Sequence, residues 1–171
     1  SCVLKLGGKT LETGEFRGTA KVFENEPDAM TAIQSGVIVP GDVVVVRNVG
    51  PKGGPGMPEM VMLTVELQGR GLGKDVALIT DGRFSGVSHG ILIGHICPEA
   101  SDGGPLAAVE NGDTIVIDPL NRTLNVAIDD SELEQRMTTT GQRDLADTIP
   151  QGSVLRRYAK QVSSAHYGCV Q

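Results

Sequence analysis

The fold of this chain is decided by the stretch Asp42-Val43-Val44-Val45-Val46 and by the glycine-rich loop that follows it, Gly50-Pro51-Lys52-Gly53-Gly54-Pro55-Gly56. Four consecutive valines show no alternation of apolar and polar residues, so they predict a strand that is covered on both faces. The glycines behind it allow the backbone to approach a small anionic ligand without side chains in the way. The stretch therefore predicts a core strand that ends in a binding loop.

Outward from this strand, apolar runs and turn residues predict further strands and helices. Strands are predicted over 3–6, 19–23, 76–79, 91–96, 114–117 and 123–128, the first of them ending at Gly7-Gly8. Helices are predicted over 26–35, with Asn25 as the N-cap and Gly36 as the stop, and over 58–67, 105–109, 129–137 and 154–163. Strands that alternate irregularly with short helices predict a mixed α/β fold, in which a mixed sheet closes into a β-barrel with helices packed outside.

The composition argues against two kinds of partner. The 171 residues suffice for one compact domain, but aromatic residues make up only 3% and tryptophan is absent, so platforms for stacked bases are not expected. The 15 basic residues are scattered and outnumbered by 21 acidic ones, which predicts that nucleic acid is not a partner. No apolar run approaches the roughly 18 residues of a membrane span, so no membrane is expected either.

Three cysteines, Cys2, Cys97 and Cys169, are too far apart in sequence for a CxxC metal site. Their odd number leaves one unpaired in any disulfide scheme, so we expect a soluble protein of a reducing compartment. The opening residues Ser1-Cys2-Val3-Leu4 have the pattern of the middle of a strand, which predicts a fragment of a longer protein.

A second loop, Thr80-Asp81-Gly82-Arg83-Phe84-Ser85-Gly86, adds one hydroxyl to the carboxylate of Gly56-Met57-Pro58-Glu59-Met60. Together and in this order, the two loops resemble the dihydroxy-acid dehydratase and phosphogluconate dehydratase family, whose members remove water from a hydroxylated carboxylate. The similarity covers nearly the whole chain.

The resemblance implies an architecture and partners. It identifies residues 1–171 as similar to the C-terminal swivelling β/β/α barrel domain of these enzymes, which lies behind a larger N-terminal domain that is absent here. The expected partners are a small dihydroxy acid, the protein's own N-terminal domain and a second copy in a homodimer. The compartment would be cytoplasmic in a bacterium, and mitochondrial or plastid in a eukaryote.

Glu59 is the candidate metal ligand. It lies at the predicted start of a helix, where unsatisfied N–H groups favour a negative charge, and a carboxylate is a ligand that Mg²⁺ accepts. The alternative is an ordinary first-turn glutamate that stabilises its helix. The resemblance implies the metal role, because the glutamate of this motif binds Mg²⁺ in the family.

Ser85 is the candidate catalytic residue. A serine hydroxyl is a weak base at neutral pH, and it can take a proton from carbon only if a neighbouring cation stabilises the alkoxide. The alternative is a turn serine bonded to local backbone. The resemblance implies that Ser85 is the proton acceptor, with Mg²⁺ and an iron–sulfur cluster at the metal centres and the cluster's ligands in the absent domain.

Five further residues are candidates for substrate binding. Lys52 and Arg83 could hold a substrate carboxylate or be solvated loop charges. Asp81 could orient Arg83 or cap the turn, and Thr80 has the same two alternatives. Gly86 is the fifth candidate for substrate binding. A P-loop is excluded, since the Gly-Lys-Ser/Thr ending is missing.

The histidines and Cys97 are expected to be structural. No third member is visible to complete a triad from Ser85 and either His89 or His95. The Ile93-Gly94-His95 segment resembles a pattern of the family and is expected to fix the loop that carries Ser85. Cys97 is not expected to bind the cluster.

Three details resemble the branched-chain dihydroxy-acid dehydratases more than the sugar-acid enzymes: Phe84, Gly94-His95 and Ser88-His89-Gly90. The implied reaction converts a 2,3-dihydroxy-3-methyl acid to a 2-keto acid in valine and isoleucine synthesis. Asn48-Val49 stands where relatives commonly have Tyr-Glu, so a sugar-acid substrate stays open. The other class is a binding or interaction domain without catalysis, and we expect the isolated 171 residues to fold without dehydrating anything.

Overall fold

The computed structural model describes residues 1–6, 14–140 and 149–171, so the turn predicted at Gly7-Gly8 lies outside the described residues. Within these ranges the strands are β1 (Val3–Leu6), β2 (Phe16–Phe23), β3 (Asp42–Val46), β4 (Ala77–Thr80), β5 (Ile91–Gly94), β6 (Thr114–Asp118) and β7 (Thr123–Val126). The α-helices are α1 (Glu26–Gln34), α2 (Val61–Gly69), α3 (Asp130–Thr140) and α4 (Val154–Gln161).

The strands form one mixed sheet in the order β1-β5-β4-β3-β2-β6-β7. Strands β2, β3, β4 and β5 are parallel to one another, whereas β1 pairs antiparallel with β5, β6 pairs antiparallel with β2, and β7 pairs antiparallel with β6. The sheet curls into a half-barrel. The predicted mixed α/β fold with a barrel-like sheet and outer helices is therefore confirmed.

The valine run explains why the sheet has two covered faces. Val43 and Val45 belong to a cluster that draws on all seven strands, as the concave face of a curled sheet does. Val44 and Val46 belong to a second cluster with residues of α1 and α2. All four valines are fully buried, as the absence of alternation predicted.

Several predicted boundaries differ from the structure. The 91–96 strand stops at Gly94, because His95 adopts a positive φ of 56° that ends the extended backbone. The segment predicted as a helix over 105–109 is a 3-10 helix, Pro105–Ala108. The helix predicted to start at Pro58 begins only at Val61, since Met57 has a φ of 51° and Glu59 is held in a β-bridge.

The topology places three loops at one edge of the sheet. Strands β3, β4 and β5 are parallel, so the loops that follow Val46, Thr80 and Gly94 all leave from the same side. In open α/β sheets this edge, at the carboxyl ends of parallel strands, is where ligands bind. Both loops singled out from the sequence lie here.

Candidate functional site

Asp81 anchors the start of the glycine-rich loop. Its buried carboxylate accepts hydrogen bonds from the backbone N–H groups of Asn48 (3.0 Å), Val49 (2.9 Å) and Ala100 (2.9 Å). Burial raises the pKa of Asp81 to about 6, against the lowering effect of these three N–H bonds. This arrangement favours the structural alternative for Asp81 over a substrate contact.

Glu99 anchors the middle of the same loop. It is only 2% exposed and accepts hydrogen bonds from the N–H groups of Lys52 and Gly53, both at 2.9 Å, and from the Ser101 hydroxyl at 2.8 Å. A Cβ at Gly50 would lie 2.5 Å from Glu99 Oε2. Glycine is therefore required at position 50, because the buried carboxylate lies directly against its backbone.

The sequence predicted Glu59 at the start of a helix, and this prediction is wrong, because α2 begins only at Val61. Glu59 precedes the N-cap residue Met60 and forms an isolated parallel bridge with Arg83, and the Met60 N–H donates to the Arg83 carbonyl at 3.0 Å. The Glu59 side chain is exposed. Its carboxylate makes no hydrogen bond to any residue that the structure describes, so it is available to an external ligand.

Ser85 lies two residues after Arg83, so the same bridge brings its loop beside Glu59. Its side chain is half-buried, and its Oγ accepts a long hydrogen bond of 3.4 Å from the Val87 N–H. The Ser85 carbonyl accepts from the Ser88 N–H at 3.2 Å. The turn-serine geometry is present, and it leaves the hydroxyl proton uncommitted to this bond.

The two cationic candidates differ in their environment. Lys52 Nζ forms an ion pair with Asp102 at 2.6 Å, which satisfies its charge within the chain. The Arg83 Nε donates to the Met57 carbonyl at 2.6 Å, and the residue is exposed. Arg83 is therefore the better placed of the two to meet a substrate carboxylate.

Thr80 and Gly86 differ in their exposure to solvent. Thr80 is fully buried and its hydroxyl accepts from the Gly82 N–H at 2.9 Å, a contact that shapes the turn after β4. Gly86 is exposed, and no atom would lie within 4 Å of a Cβ added to it. Only Gly86 of this pair is open to a ligand.

The C-terminal segment adds residues that sequence reasoning missed. Cys169 Sγ lies 3.9 Å from Met57 Sδ. Burial raises the pKa values of Cys169 and Tyr158, and the positive charge of Arg83 offsets only part of that rise. The contact between Cys169 and Met57 puts the chain after α4 beside the glycine-rich loop that follows β3. No short-range signal could have shown this, because Met57 and Cys169 are 112 positions apart.

Lys5 is a second residue missed from the sequence. Its Nζ donates to the carbonyl of Ser85 at 3.0 Å and also to the carbonyl of Gly86. It comes from β1, at the edge of the sheet beside β5. Sequence reasoning predicted a strand over 3–6 and examined no side chain on it.

Asn48 and Val49, where the family resemblance leads us to expect Tyr-Glu, belong to the scaffold. Asn48 has a φ of 62°, a conformation that asparagine tolerates well, and its side-chain amide donates to Glu24. Val49 packs against the cluster on the helix-covered face of the sheet.

The described residues contain no group of three or more histidine, cysteine or acidic side chains that could hold a metal ion. All three cysteines are free thiols.

The backbone N–H of His95 donates to the Gly82 carbonyl at 2.8 Å, which ties the chain after β5 to the turn ahead of Ser85. None of the helices in ranges 1–6, 14–140 and 149–171 has the length and apolar character needed to cross a membrane.

Comparison with known proteins gives consistent matches. Residues 1–169 match the family model described as dihydroxy-acid/6-phosphogluconate dehydratase C-terminal. Dihydroxy-acid dehydratases of Francisella tularensis subsp. novicida and Aeropyrum pernix are each 50% identical to this chain over 168 residues, and that of Methylococcus capsulatus is 52% identical over the same length. Each alignment covers 98% of this chain and 29% of the relative, so the chain spans less than a third of these proteins.

Proposed function

Because the chain belongs to the dihydroxy-acid/6-phosphogluconate dehydratase family and corresponds to its C-terminal domain, we propose that it is the C-terminal part of a hydro-lyase. The proposed reaction converts a 2,3-dihydroxy-3-methyl acid to a 2-keto acid in branched-chain amino-acid synthesis. The protein's own N-terminal domain would complete the active site, and the full-length enzyme would be a homodimer in a reducing compartment. The names of the relatives support a dihydroxy acid as the substrate.

One observation carries the proposal. The Glu59–Arg83 bridge joins the two glycine-rich loops, so a carboxylate without a partner among the described residues and the loop of a half-buried hydroxyl lie together at the edge of the sheet. An exposed guanidinium lies between them in sequence. The dehydration of a hydroxylated carboxylate requires three such groups: a ligand for the cation, an acceptor for the proton and a positive charge that binds the substrate carboxylate.

The residues of the chain have distinct proposed roles. Arg83 binds the substrate carboxylate and thereby orients the neighbouring carbon. Ser85 Oγ accepts the proton from that carbon, the carbon–hydrogen electron pair forms the double bond, and hydroxide leaves from the next carbon. The resulting enol takes up a proton at carbon and loses the proton of its hydroxyl group to give the 2-keto acid, and the proton taken by Ser85 and the departing hydroxide together account for the one water lost.

Two cofactors are part of the proposal. Glu59 fits as one oxygen ligand of Mg²⁺, since its carboxylate is exposed and such sites use only one or two protein carboxylates beside water and substrate oxygens. The iron–sulfur cluster would be held by residues outside this chain. When bound, these centres supply the Lewis acidity that makes hydroxide an acceptable leaving group.

The test is an activity assay of the full-length protein that contains this chain. We expect 2-keto acid to form from a 2,3-dihydroxy-3-methyl acid, and kcat to fall roughly 10³-fold in Ser85→Ala, the scale on which a general base contributes. We expect Glu59→Gln to raise the Mg²⁺ concentration needed for half-maximal activity. Ser35→Ala, after α1, and Glu66→Gln, on α2, are the matched controls and should behave as wild type.

The outcomes separate the alternatives. Retained turnover in Ser85→Ala would remove the proton-acceptor role. Turnover of a phosphorylated or free sugar acid in place of the branched acid would move the enzyme to the other branch of the family, with the same chemistry. A full-length protein that binds either acid without converting it would favour the non-catalytic alternative.

A further inference from the structure

Lys5 reaches the backbone of the Ser85 loop from a distant part of the chain. Its Nζ donates to the carbonyl oxygen of Ser85 at 3.0 Å and also to that of Gly86. These oxygens belong to the two successive peptide units that follow the candidate base, Ser85–Gly86 and Gly86–Val87. The ammonium therefore holds the backbone at the residue whose hydroxyl must be aimed at the substrate.

The sheet register explains why Lys5 points at this loop. Strand β1 pairs with β5 so that Lys5 is opposite Leu92, a member of the cluster on the helix-covered face. Its neighbour Leu4 packs into the cluster on the concave face. Since successive side chains alternate between faces, Lys5 extends over the helix-covered side, where Phe84 of the Ser85 loop also packs.

The charge of Lys5 matters for the chemistry of Ser85. The carbonyl oxygens of Ser85 and Gly86 belong to the same residue as the hydroxyl and to the next one, and their partial negative charges oppose the formation of a negative alkoxide at Ser85. An ammonium bonded to both oxygens offsets this repulsion and adds an attraction of its own. No carboxylate pairs with Lys5 in the described part of the chain, so its positive charge is not neutralised there.

We propose that Lys5 is a positioning residue for Ser85, which orients the Ser85–Gly86 backbone and stabilises the deprotonated hydroxyl by its charge. The inference rests on the proposed function and deepens it by naming a second residue on which the proton acceptor depends. Lys5 itself contacts no reacting atom in this role.

The test uses three substitutions in the full-length enzyme. Lys5→Met removes both the hydrogen bonds and the charge, Lys5→Gln keeps N–H donors without the charge, and Lys5→Arg keeps both. We expect kcat to fall roughly 100-fold in Lys5→Met with KM nearly unchanged, on the scale of a misplaced catalytic group. Lys5→Gln should stay at least about 10-fold low, and Lys5→Arg should recover most of the activity. Lys74→Met, on the exposed turn before β4, is the matched control.

A second measurement does not depend on activity. The Val87 and Ser88 N–H groups donate to the hydroxyl and the carbonyl of Ser85, so their hydrogen exchange reports the order of this loop. We expect faster exchange of both amides in Lys5→Met and near wild-type exchange in Lys5→Gln. If Lys5→Met does not fold, the comparison of Lys5→Gln with Lys5→Arg still separates the charge from the hydrogen bonds.

Two results would overturn the proposal. Wild-type kcat and exchange in Lys5→Met, alongside an inactive Ser85→Ala, would show that the loop is positioned without Lys5. Full activity in Lys5→Gln would remove the electrostatic role. An active Ser85→Ala would instead refute the proposed function, so failure of the two ideas is distinguishable.

Discussion

At the scale of single residues, Asp81 combines two opposed influences on its pKa. Three backbone N–H groups stabilise its ionised form, and complete burial destabilises it more strongly. The native state therefore binds a proton at Asp81 more tightly than the unfolded chain does, with a pKa of about 6 against 3.8. Ionisation of this group costs stability, although the ionised form organises the loop.

This difference predicts a pH dependence. Between pH 4 and pH 6 the native state holds the Asp81 proton and the unfolded state has lost it, so the free energy of unfolding falls as the pH rises. The total change from this group is about 3 kcal/mol, and it is spread between about pH 3 and pH 7. The measurement is urea unfolding of wild type and Asp81→Asn across pH 4–8, where the free energy of unfolding of wild type relative to that of Asp81→Asn should fall by most of this amount.

Asp75→Asn, which removes an exposed carboxylate from the turn before β4, is the matched control for that experiment. A difference between wild type and Asp81→Asn that rises or stays level across the window would contradict the raised pKa. It would mean that the three N–H bonds outweigh burial.

At the scale of elements, the loop from β3 to α2 owes its shape to close approaches that only glycine allows. A Cβ at Gly50 would meet both Oε2 and Cβ of Glu99, at 2.5 and 2.9 Å. The carboxylate cannot move away freely, because it holds the N–H groups of Lys52 and Gly53. The loop and the segment after β5 are therefore built around one another.

We expect Gly50→Ala to lower the free energy of unfolding by about 1–3 kcal/mol, the usual cost of forcing an extra methyl group into a packed site. Thermal or denaturant unfolding measures it. Gly69→Ala, at the end of α2 with no atom within 4 Å of the added Cβ, is the control and should be neutral or slightly stabilising. Equal effects of the two substitutions would show that Glu99 is not fixed in place.

Local patterns were enough to predict most elements but not their limits. Asn25 was correctly assigned as a cap, since its side chain accepts from the Asp28 N–H, and the valine run was correctly assigned to the core. The predicted start of α2 at Pro58 was wrong, because the bridge between Glu59 and Arg83 is a contact between two loops that no local sequence pattern encodes. Lys5 and Glu99 were missed for the same reason, since the loop backbone that each of them holds is at least 46 positions away in sequence.

At the scale of the whole molecule, the site is one-sided. The described residues bring together Glu59, Arg83 and Ser85, and they contain no set of three metal ligands. The chain also spans less than a third of its relatives. Under the proposed function, residues outside the described part of this chain would complete the site.

We therefore expect the isolated 171-residue chain to fold, as judged by circular dichroism and a cooperative unfolding transition, and to show no turnover of a 2,3-dihydroxy-3-methyl acid. The full-length protein at the same concentration, loaded with Mg²⁺ and its cluster, is the positive control. Turnover by the isolated chain above that of its Ser85→Ala variant would contradict the prediction.

The pairing of the first strand, β1, with β5 has a consequence for the rate of folding. The contacts that define the site join residues 80 positions apart at Lys5 and Ser85, and 112 apart at Met57 and Cys169. Loops of this length are closed late and slowly in folding, because their entropy must be lost before the contacts form. We therefore expect the edge that carries the candidate site to assemble late in refolding, and we expect a short synthetic peptide that carries only the two glycine-rich motifs to lack its geometry.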